Sequence, residues 1–581
     1  MDNTHKEFRS HALKRLGNLI RIEQREIFSV YFYAIFSGLI ALSLPVGIQA
    51  IVGLLFGGSI STSIVVLIIF VVLGVLAGGV LMVFQRRVTE RIQQRIFTRL
   101  SFEFAFRLPK IELSSVDNYY LPELVNRFFD ISTLQKSFSK VLLEIPAATI
   151  QILFGLILIA FYHPSFIFFD IILIGLLTII VYFTGPRGLR TSLEESHYKY
   201  KLANWLEEMA RTIKSLKFAG HTPLPLETTD SITSDYLEAR SSHFRILMFQ
   251  YYSIIAFKVV ITAGLLIVGS VLLINQQINI GQFIAAEIVI LTILNSVEKL
   301  IGSLEEVYDL LTSLEKLGIV MEKPLERQGG LKFSELNIDN KNGMEVELKD
   351  LTFSYNDAGK AALKNLSMKI NAGEHICVAG AEGSGKTTLI RMLAGGFPDF
   401  SGNILIAGVP LGNLNLEDYR NHLGVVTQND SLFEGTLIDN LTMGKPEITP
   451  SMVLQEIEKL GLGDYLAGLK YGLNSELDPQ GKKLPEGIVR KLVLVRNLLQ
   501  RPRLLLMEDV FSNMEQKQRK EVLDRVFEVQ TNNSLIIVSN QEEIALRSHR
   551  VVIMKDGEIE AEGKPEELRN TLAYQRAFGK F

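Results

Sequence analysis

The sequence has a single cysteine among its 581 residues, and its charges almost cancel. Cys377 alone cannot form an intrachain disulfide or supply a metal site built from paired cysteines. Its apolar neighbours favour a small buried hydrophobe. Because 60 Lys and Arg face 63 Asp and Glu, the chain also lacks the positive excess that is typical of nucleic-acid-binding proteins. We therefore expect neither disulfide chemistry nor a nucleic-acid partner.

Asp, Glu, Lys and Arg are all absent from Ile27 to Gln85. A bilayer core takes about 20 apolar residues per helix, so this run is long enough for two spans. Two further pairs of apolar runs are divided by His163-Pro164 and by residues 276–279, which brings the predicted number of spans to six. The predicted spans are Phe28–Phe56, Ile60–Phe84, Val141–Tyr162, Phe166–Thr184, Tyr251–Asn275 and Ile280–Gly302.

Lys and Arg are distributed unevenly around these spans, and such residues are retained on the cytoplasmic side. The three short turns of the predicted hairpins contain neither residue. Basic residues instead precede the first span and follow the second and fourth spans, for example Arg25, Arg86 and Arg187. The pattern predicts a multi-pass membrane protein with both termini in the cytoplasm. The expected location is the plasma (inner) membrane.

Composition divides the chain into four parts. Residues 1–27 are polar with helical spacing of apolar residues, which indicates an interfacial segment. Residues 28–302 hold the six spans, and the long connections after the second and fourth spans resemble helical extensions of the membrane helices that fold back at a tip. A polar linker is expected over 303–343, and a domain of alternating strands and helices over 344–581.

A glycine loop gives the most specific chemical signal in the sequence. Residues 376–389 read as a strand, a loop matching G-x-x-x-x-G-K-T, and a helix. Glycines at such a loop let backbone amides turn toward phosphate oxygens, the lysine adds a positive charge, and the threonine hydroxyl binds magnesium. The predicted ATP-binding residues of the loop are Gly380, Gly383, Ser384, Gly385, Lys386, Thr387 and Thr388.

With these motifs the chain resembles the ABC exporter family of the half-transporter type, and its membrane domain is most similar to the branch that exports peptides and proteins. The resemblance implies a six-span α-helical membrane domain of type I followed by an α/β P-loop ATPase domain. It places Tyr355 where an aromatic stacks on adenine, although a core tyrosine in a strand is the alternative. It also places Gln428 at the glutamine that contacts magnesium and serves the catalytic site.

Three motifs depart from the family pattern. The signature stretch reads Leu484-Pro-Glu-Gly-Ile488, so Leu484 and Gly487 remain as ATP contacts while Pro485 lacks an amide proton and Glu486 adds a carboxylate. Glu508 takes the position of the magnesium-linked carboxylate, and Asp509 takes that of the catalytic base with one methylene fewer than the family's glutamate. Asn540 replaces the switch histidine and cannot carry a proton.

The resemblance implies ATP and Mg²⁺ as cofactors and a dimer of half-transporters, of which we favour the homodimer because both halves of each composite site are altered. Periplasmic or accessory export proteins are further possible partners. We expect an ATP-dependent exporter of a peptide, protein or other amphipathic substrate, with slow hydrolysis. The alternatives are an ATP-binding membrane regulator or scaffold with little turnover, and the degenerate half of a heterodimeric exporter.

Overall fold

The computed structural model describes residues 2–56, 62–116, 121–336, 343–355, 359–428, 430–511, 514–528 and 533–579. The chain forms two compact units. The first comprises residues 1–110 and 118–323, and the second comprises residues 111–117 and 324–581.

The described part of the first unit is built from helices. They are α1 (Asp2–Ile22), α2 (Gln24–Ala41), α3 (Ser43–Phe56), α4 (Thr62–Arg107), α5 (Leu121–Asn126), α6 (Asp130–Tyr162), α7 (Ser165–Arg211), α8 (Ile213–Phe218), α9 (Leu224–Ile274) and α10 (Ile280–Met321).

Six helical stretches of the described chain are long and apolar enough to cross a bilayer, which confirms the predicted number. Large apolar side chains such as Phe70 and Phe161 are exposed along them, as expected of a surface that faces lipid. The first predicted span is divided at Leu42 into α2 and α3. Pro45 lies in the first turn of α3, where its missing amide proton does not break the helix ladder. Residues 57–61 of the predicted turn at 57–63 lie outside the described residues.

Several membrane helices continue beyond the predicted ends of the spans. The helix α4 reaches Arg107, α7 reaches Arg211 and α9 begins at Leu224, so the two long connections are helical as expected. The helix α10 runs without a break to Met321 because its side chains at helical spacing remain buried, Leu317 among them. The linker expected from residue 303 therefore begins about five turns later.

The described part of the second unit contains three sheets. The strands are β1 (Val346–Phe353), β2 (Leu363–Ile370), β3 (His375–Gly380), β4 (Ser401–Ile406), β5 (Val409–Pro410), β6 (Leu423–Val426), β7 (Gly435–Thr436), β8 (Glu476–Leu477), β9 (Leu504–Glu508), β10 (Ser534–Val538), β11 (Arg550–Lys555) and β12 (Glu558–Gly563). A six-stranded sheet has the order β12-β11-β3-β10-β9-β6, and an antiparallel four-stranded sheet has the order β2-β1-β4-β5. The pair β7-β8 forms the third sheet.

The helices of this unit cover the sheets. They are α11 (Lys386–Leu393), α12 (Leu416–Arg420), α13 (Leu437–Thr442), α14 (Pro450–Lys459), α15 (Gly463–Ala467), α16 (Glu486–Leu499), α17 (Gln516–Glu528), α18 (Glu542–Arg547), α19 (Pro565–Leu568) and α20 (Leu572–Phe578). The central strands β3, β9 and β10 are almost continuously apolar because both of their faces are covered. Cys377 lies in this core with no exposed surface, as its apolar neighbours predicted.

A short segment of the first connection belongs to the second unit. The backbone of Ile111 pairs with that of Leu325, and the amide of Glu112 donates to the carbonyl of Pro324 at 3.0 Å. The segment was expected within the membrane domain because it lies between two membrane helices in sequence. These backbone pairings, which join residues about 200 positions apart, carry no local sequence signal.

Candidate functional site

Most of the predicted site residues lie at one edge of the six-stranded sheet. Tyr355 instead follows β1 of the four-stranded sheet, and Leu484 and Gly487 lie at the start of α16. Strands β3, β10, β9 and β6 are adjacent and parallel, so their carboxyl ends point the same way. The glycine loop follows β3, Asn540 follows β10, Asp509 follows β9 and Gln428 follows β6. In open α/β sheets, the crevice at the carboxyl ends of the strands is where ligands bind.

The glycine loop joins β3 to α11 through three backbone conformations that favour glycine. Gly380, Gly383 and Gly385 have φ values of 147°, 77° and 99°. A Cβ atom on Gly385 would lie 2.6 Å from the carbonyl oxygen of Ala362, and one on Gly380 would collide with that of Met554. The loop therefore needs glycine at these positions for both conformation and space.

Lys386 folds back over the loop. Its Nζ donates hydrogen bonds to the carbonyl oxygens of Gly380 at 2.8 Å and Ala381 at 2.7 Å, and to Ser384 Oγ at 3.3 Å. Burial is the main cause that lowers the pKa of Lys386, since it disfavours the charged form. The ammonium group is thus held at the centre of the loop by neutral acceptors, where a phosphate oxygen would add a charged partner.

Two of the three predicted magnesium ligands are in direct contact. Thr387 Oγ1 donates a hydrogen bond to the carboxylate of Glu508, which ends β9. A hydroxyl and a carboxylate are hard oxygen donors of the kind that Mg²⁺ prefers, with phosphates and water as its remaining ligands. The donor set therefore fits Mg²⁺. Gln428, the third predicted ligand, is exposed two residues beyond β6, at the same edge.

The side chain of Asn540 pairs with the backbone of the glycine loop. Its Oδ1 accepts from the amide of Gly380 at 3.1 Å, and its Nδ2 donates to the carbonyl oxygen of Gly380 at 3.1 Å. That carbonyl also accepts from Lys386. Sequence reasoning did not find this pairing, because nothing in the local pattern relates two residues that are 160 positions apart. The NH₂ group of Asn540 carries two N–H donors, so the bond to Gly380 uses one of them, and a contact with phosphate stays a prediction.

Asp509 has a left-handed backbone, with φ of 45°. Its amide donates to the carbonyl oxygen of Val538 at 3.0 Å, and its own carbonyl oxygen accepts from Arg490 Nη1 at 3.0 Å. Asp adopts this conformation more readily than most residues that have a side chain. The backbone of the predicted catalytic base is therefore fixed from both sides.

The signature stretch forms the start of α16. Leu484 packs against the apolar core of the unit, and Gly487 lies in the first turn of the helix. Glu486 is exposed, and its Oε1 accepts from Arg490 Nη2 at 2.6 Å. Arg490 itself is largely buried. The carboxylate expected to face phosphate is thus paired with a cation of its own helix.

Tyr355 packs as a core tyrosine at the end of β1. Its ring makes edge contacts with Phe353 and Phe397, with centroids 5.0 Å and 5.5 Å apart. Its hydroxyl lies 3.2 Å from Oγ1 of Thr388, which is itself buried. These contacts favour the core alternative, and stacking on adenine stays a prediction.

Two family models match the chain, one mainly in the first unit and one in the second. The model described as "ABC transporter transmembrane region" matches residues 27–297, and the model described as "ABC transporter" matches residues 363–512.

Curated relatives include toxin translocation proteins of bacteria. The alpha-hemolysin translocation ATP-binding protein HlyB of Escherichia coli O157:H7 is 27% identical over 369 residues, which cover 63% of this chain and 51% of that protein. The exotoxin translocation ATP-binding protein PaxB of Pasteurella aerogenes is 25% identical over 565 residues, which cover 94% of this chain and 76% of that protein. The chain thus spans about half the length of the first of these relatives.

A solved structure described as a bacterial Atm1-family ABC exporter with ATP bound matches with a TM-score of 0.82. The match covers 96% of this chain and 99% of that chain, at 17% sequence identity, and therefore shows the fold. The first matched segment begins in the first apolar helix and ends in the sixth, and the second contains the glycine loop. The chain belongs to the ABC transporter family, as a multi-pass membrane protein with a nucleotide-binding unit after its membrane helices.

Proposed function

We propose that the chain is an ATP-driven exporter that works as a dimer of half-transporters in the inner membrane, with both termini in the cytoplasm. One observation carries the proposal. After six apolar helices, the glycine loop holds Lys386 at its centre and places Thr387 beside Glu508, so that a charged donor and two magnesium ligands face one crevice. ATP would bind there with its phosphates at the loop and with Mg²⁺ at Thr387 and Glu508.

The substrate class rests on the relatives. Their names describe translocation of hemolysin, leukotoxin and exotoxin, and these relatives match this chain at 25–27% identity. A peptide, protein or other amphipathic substrate is therefore the class we propose. Accessory export proteins belong to the same proposal.

The chemical step is assigned to the residues that follow β9 and β10. Mg²⁺, when bound, supplies positive charge that stabilises the transferring phosphoryl group. Asp509 would order the attacking water, and Gln428 and Asn540 would complete the site. Because Asp509 has the shorter carboxylate and Asn540 is engaged by Gly380, we propose that hydrolysis is slow.

A regulator or scaffold that binds ATP with little turnover is the second candidate. Pro485 supplies no amide proton, and Glu486 replaces a neutral residue of the signature stretch. Steady-state ATP hydrolysis in lipid nanodiscs, with and without candidate peptides, separates the two functions. An exporter hydrolyses ATP continuously and responds to a substrate peptide. A single turnover followed by arrest supports the regulator.

The first test of the nucleotide site is a titration of the full chain with ATP and Mg²⁺. We expect Lys386→Ala to weaken ATP binding at least about tenfold, because the phosphates lose a charged hydrogen-bond donor. Lys332→Ala is the matched control, since Lys332 is an exposed lysine of the same unit paired with Glu335. An unchanged affinity of the Lys386→Ala protein would exclude the assignment of this site.

A further inference from the structure

A cavity of about 710 Å³ lies in the first unit and contains none of the predicted nucleotide-site residues. Residues of α7, α9 and α10 line it, together with a short 3₁₀ helix that precedes α6. The residues that carry the argument are Arg127, Leu193, His197, Ala239, Lys316 and Ile319. Its volume is that of a site for a small organic ligand, and Leu193, Ala239 and Ile319 give it apolar walls.

Arg127 brings an incompletely paired positive charge to this cavity. The residue is 8% exposed, and its Nε and Nη1 atoms have no hydrogen-bond partner in the described part of the chain. Only Nη2 reaches a carboxylate, that of Glu123, at 3.4 Å. Buried donors of a charged group cost free energy unless acceptors satisfy them. Three N–H groups of Arg127 therefore have no acceptor within the described chain.

Lys316 is a second cation at the same place. Its Nζ lies 5.2 Å from the centre of the Tyr200 ring, and Cζ of Arg127 lies 5.4 Å from the same centre. Within the residues that the structure describes, Lys316 forms no hydrogen bond or ion pair. Asp130, buried nearby, accepts a hydrogen bond from the hydroxyl of Tyr200. The cation–π contacts with the Tyr200 ring offset only part of the positive charge of Arg127 and Lys316.

The acidic residues that line the cavity do not neutralise these cations, because most of them are paired elsewhere. The pairs are Glu194 with Arg190 at 3.8 Å, Asp235 with Lys201 at 3.7 Å, and Glu315 with Arg15. Glu238 is exposed to solvent. In the described chain these acidic residues form no ion pair with Arg127 or Lys316, and the buried carboxylate of Asp130 offsets part of the positive charge of the two cations.

We propose that this cavity binds a soluble, phosphate-bearing organic anion, with the phosphate held by Arg127 and Lys316 and the organic part against the apolar walls. A guanidinium group supplies fixed N–H donors to phosphate oxygens, and an ammonium group adds a point charge. Lys316 lies 14 residues beyond the predicted end of the sixth span at Gly302, which is about 21 Å along a helix. At this distance from the end of the span, Lys316 is a poor site for the headgroup of a bilayer lipid.

The experiment uses the full chain in phosphatidylcholine nanodiscs with Lys386→Ala introduced, so that phosphate binding at the glycine loop is weakened. Isothermal titration with phenyl phosphate is expected to show saturable binding. Inorganic phosphate should bind more weakly because it lacks the apolar part, and phenol should bind more weakly because it lacks the charge. In the same background, Arg127→Gln and Lys316→Gln should each weaken phenyl phosphate binding by about tenfold or more.

Lys214→Gln is the matched control, since Lys214 is an exposed lysine of α8 away from the cavity lining, and it should leave the affinity unchanged. If Arg127→Gln fails to fold, Lys316→Gln and the charge-preserving Arg127→Lys carry the test. The proposal is overturned if phenyl phosphate does not bind, or if both glutamine variants bind it normally. Competition by phosphatidic acid in the nanodisc would overturn the assignment to a soluble ligand. The Lys386→Ala background keeps the result separate from the proposed ATP site.

Discussion

At the residue scale, Asn540 connects the end of β10 to the first turn of the glycine loop. Its amide makes two hydrogen bonds with the backbone of Gly380, and Lys386 donates to the same carbonyl oxygen. A histidine at this position could not reproduce both bonds, because a neutral imidazole donates from one nitrogen and accepts at the other, on opposite sides of the ring. Asn540 therefore fixes the backbone at the start of the glycine loop.

The first prediction concerns this pairing. Asn540→Ala removes two hydrogen bonds, each worth about 1 kcal/mol, and should weaken ATP binding by about tenfold while increasing hydrogen exchange at the Gly380 amide. Asn540→Asp keeps the acceptor for that amide and loses only the donor, so the Gly380 amide should remain protected. Equal exchange at Gly380 in the native protein and in Asn540→Ala would contradict the positioning role.

The second prediction concerns His375, which is buried between His549 and Phe527 at centroid distances of 4.8 Å and 5.7 Å. Burial lowers the pKa of His375 to about 4. The folded protein therefore binds fewer protons than the unfolded chain between about pH 6.5 and pH 4. As the pH falls through this window, the free energy of unfolding should decrease by up to about 1.4 kcal/mol per pH unit.

Thermal unfolding measured from pH 4 to pH 8 tests this expectation. His375→Leu should flatten the dependence between pH 4 and pH 6.5, because the buried ring no longer has to stay neutral. The control is His221→Leu, at an exposed position of the first unit, which should keep the native slope. A slope that is identical in His375→Leu would show that other groups cause the acid sensitivity.

At the scale of elements, the start of α16 contains both the altered signature stretch and an arginine that pairs with its added carboxylate. Glu486 lies in the first turn, where the helix dipole favours a negative charge, and Arg490 one turn later pairs with it at 2.6 Å. Arg490 also donates to the carbonyl oxygen of Asp509. In the proposed dimer, Arg490 would reduce a repulsion between Glu486 and the phosphate of a neighbouring subunit. The same arginine joins the signature helix to the end of β9.

The third prediction follows from this pairing and concerns closure of the proposed dimer. Arg490→Gln removes the positive charge that pairs with Glu486 at 2.6 Å, so spin labels on the two nucleotide-binding units should report closure at a higher ATP concentration. Adding Glu486→Gln should restore most of the native midpoint, because it removes the negative charge that Arg490 offsets. Lys483→Gln, which breaks the exposed pair with Asp478, is the control. A midpoint that does not move in Arg490→Gln would contradict the compensation.

At the scale of the whole molecule, both surfaces expected to form a composite ATP site are altered in this one chain. The signature stretch carries Pro485 and Glu486, and the catalytic edge carries Asp509 and Asn540. A different partner with complete motifs would repair only one half of each site. For this reason we favour the homodimer.

The fourth prediction is that the purified chain forms a dimer by itself and hydrolyses ATP slowly, without a second protein. Native mass spectrometry gives the subunit number, and steady-state phosphate release gives the rate. In the double variant Asp509→Glu and Asn540→His, the longer carboxylate reaches further toward the attacking water. The same variant loses the pairing of Asn540 with Gly380 and places a longer side chain at φ of 45°. The rate should rise only if the gain in reach exceeds these two costs. A monomer that hydrolyses ATP only after addition of another half-transporter would contradict the homodimer.

The sequence by itself determined the features that depend on local pattern. Six spans follow from uninterrupted apolar runs, since a bilayer requires a minimum length of helix. The conformation of the glycine loop follows from Gly380, Gly383 and Gly385, because few other residues adopt positive φ without strain. The roles proposed for Lys386 and Thr387 depend on the same short stretch. These features need only the residue types within one or two turns of chain.

Only the tertiary structure decided which distant groups pair. It joined Asn540 to Gly380 and placed Glu298 beside Lys258, an ionisable residue of the fifth span. It also extended α10 to Met321, where burial against other helices outweighs the polar composition that had suggested a linker. Hydrogen bonds and ion pairs between residues far apart in sequence depend on the distances between their atoms in the folded chain. Packing of the helices and strands sets these distances, and the spacing of residues in the sequence does not determine them.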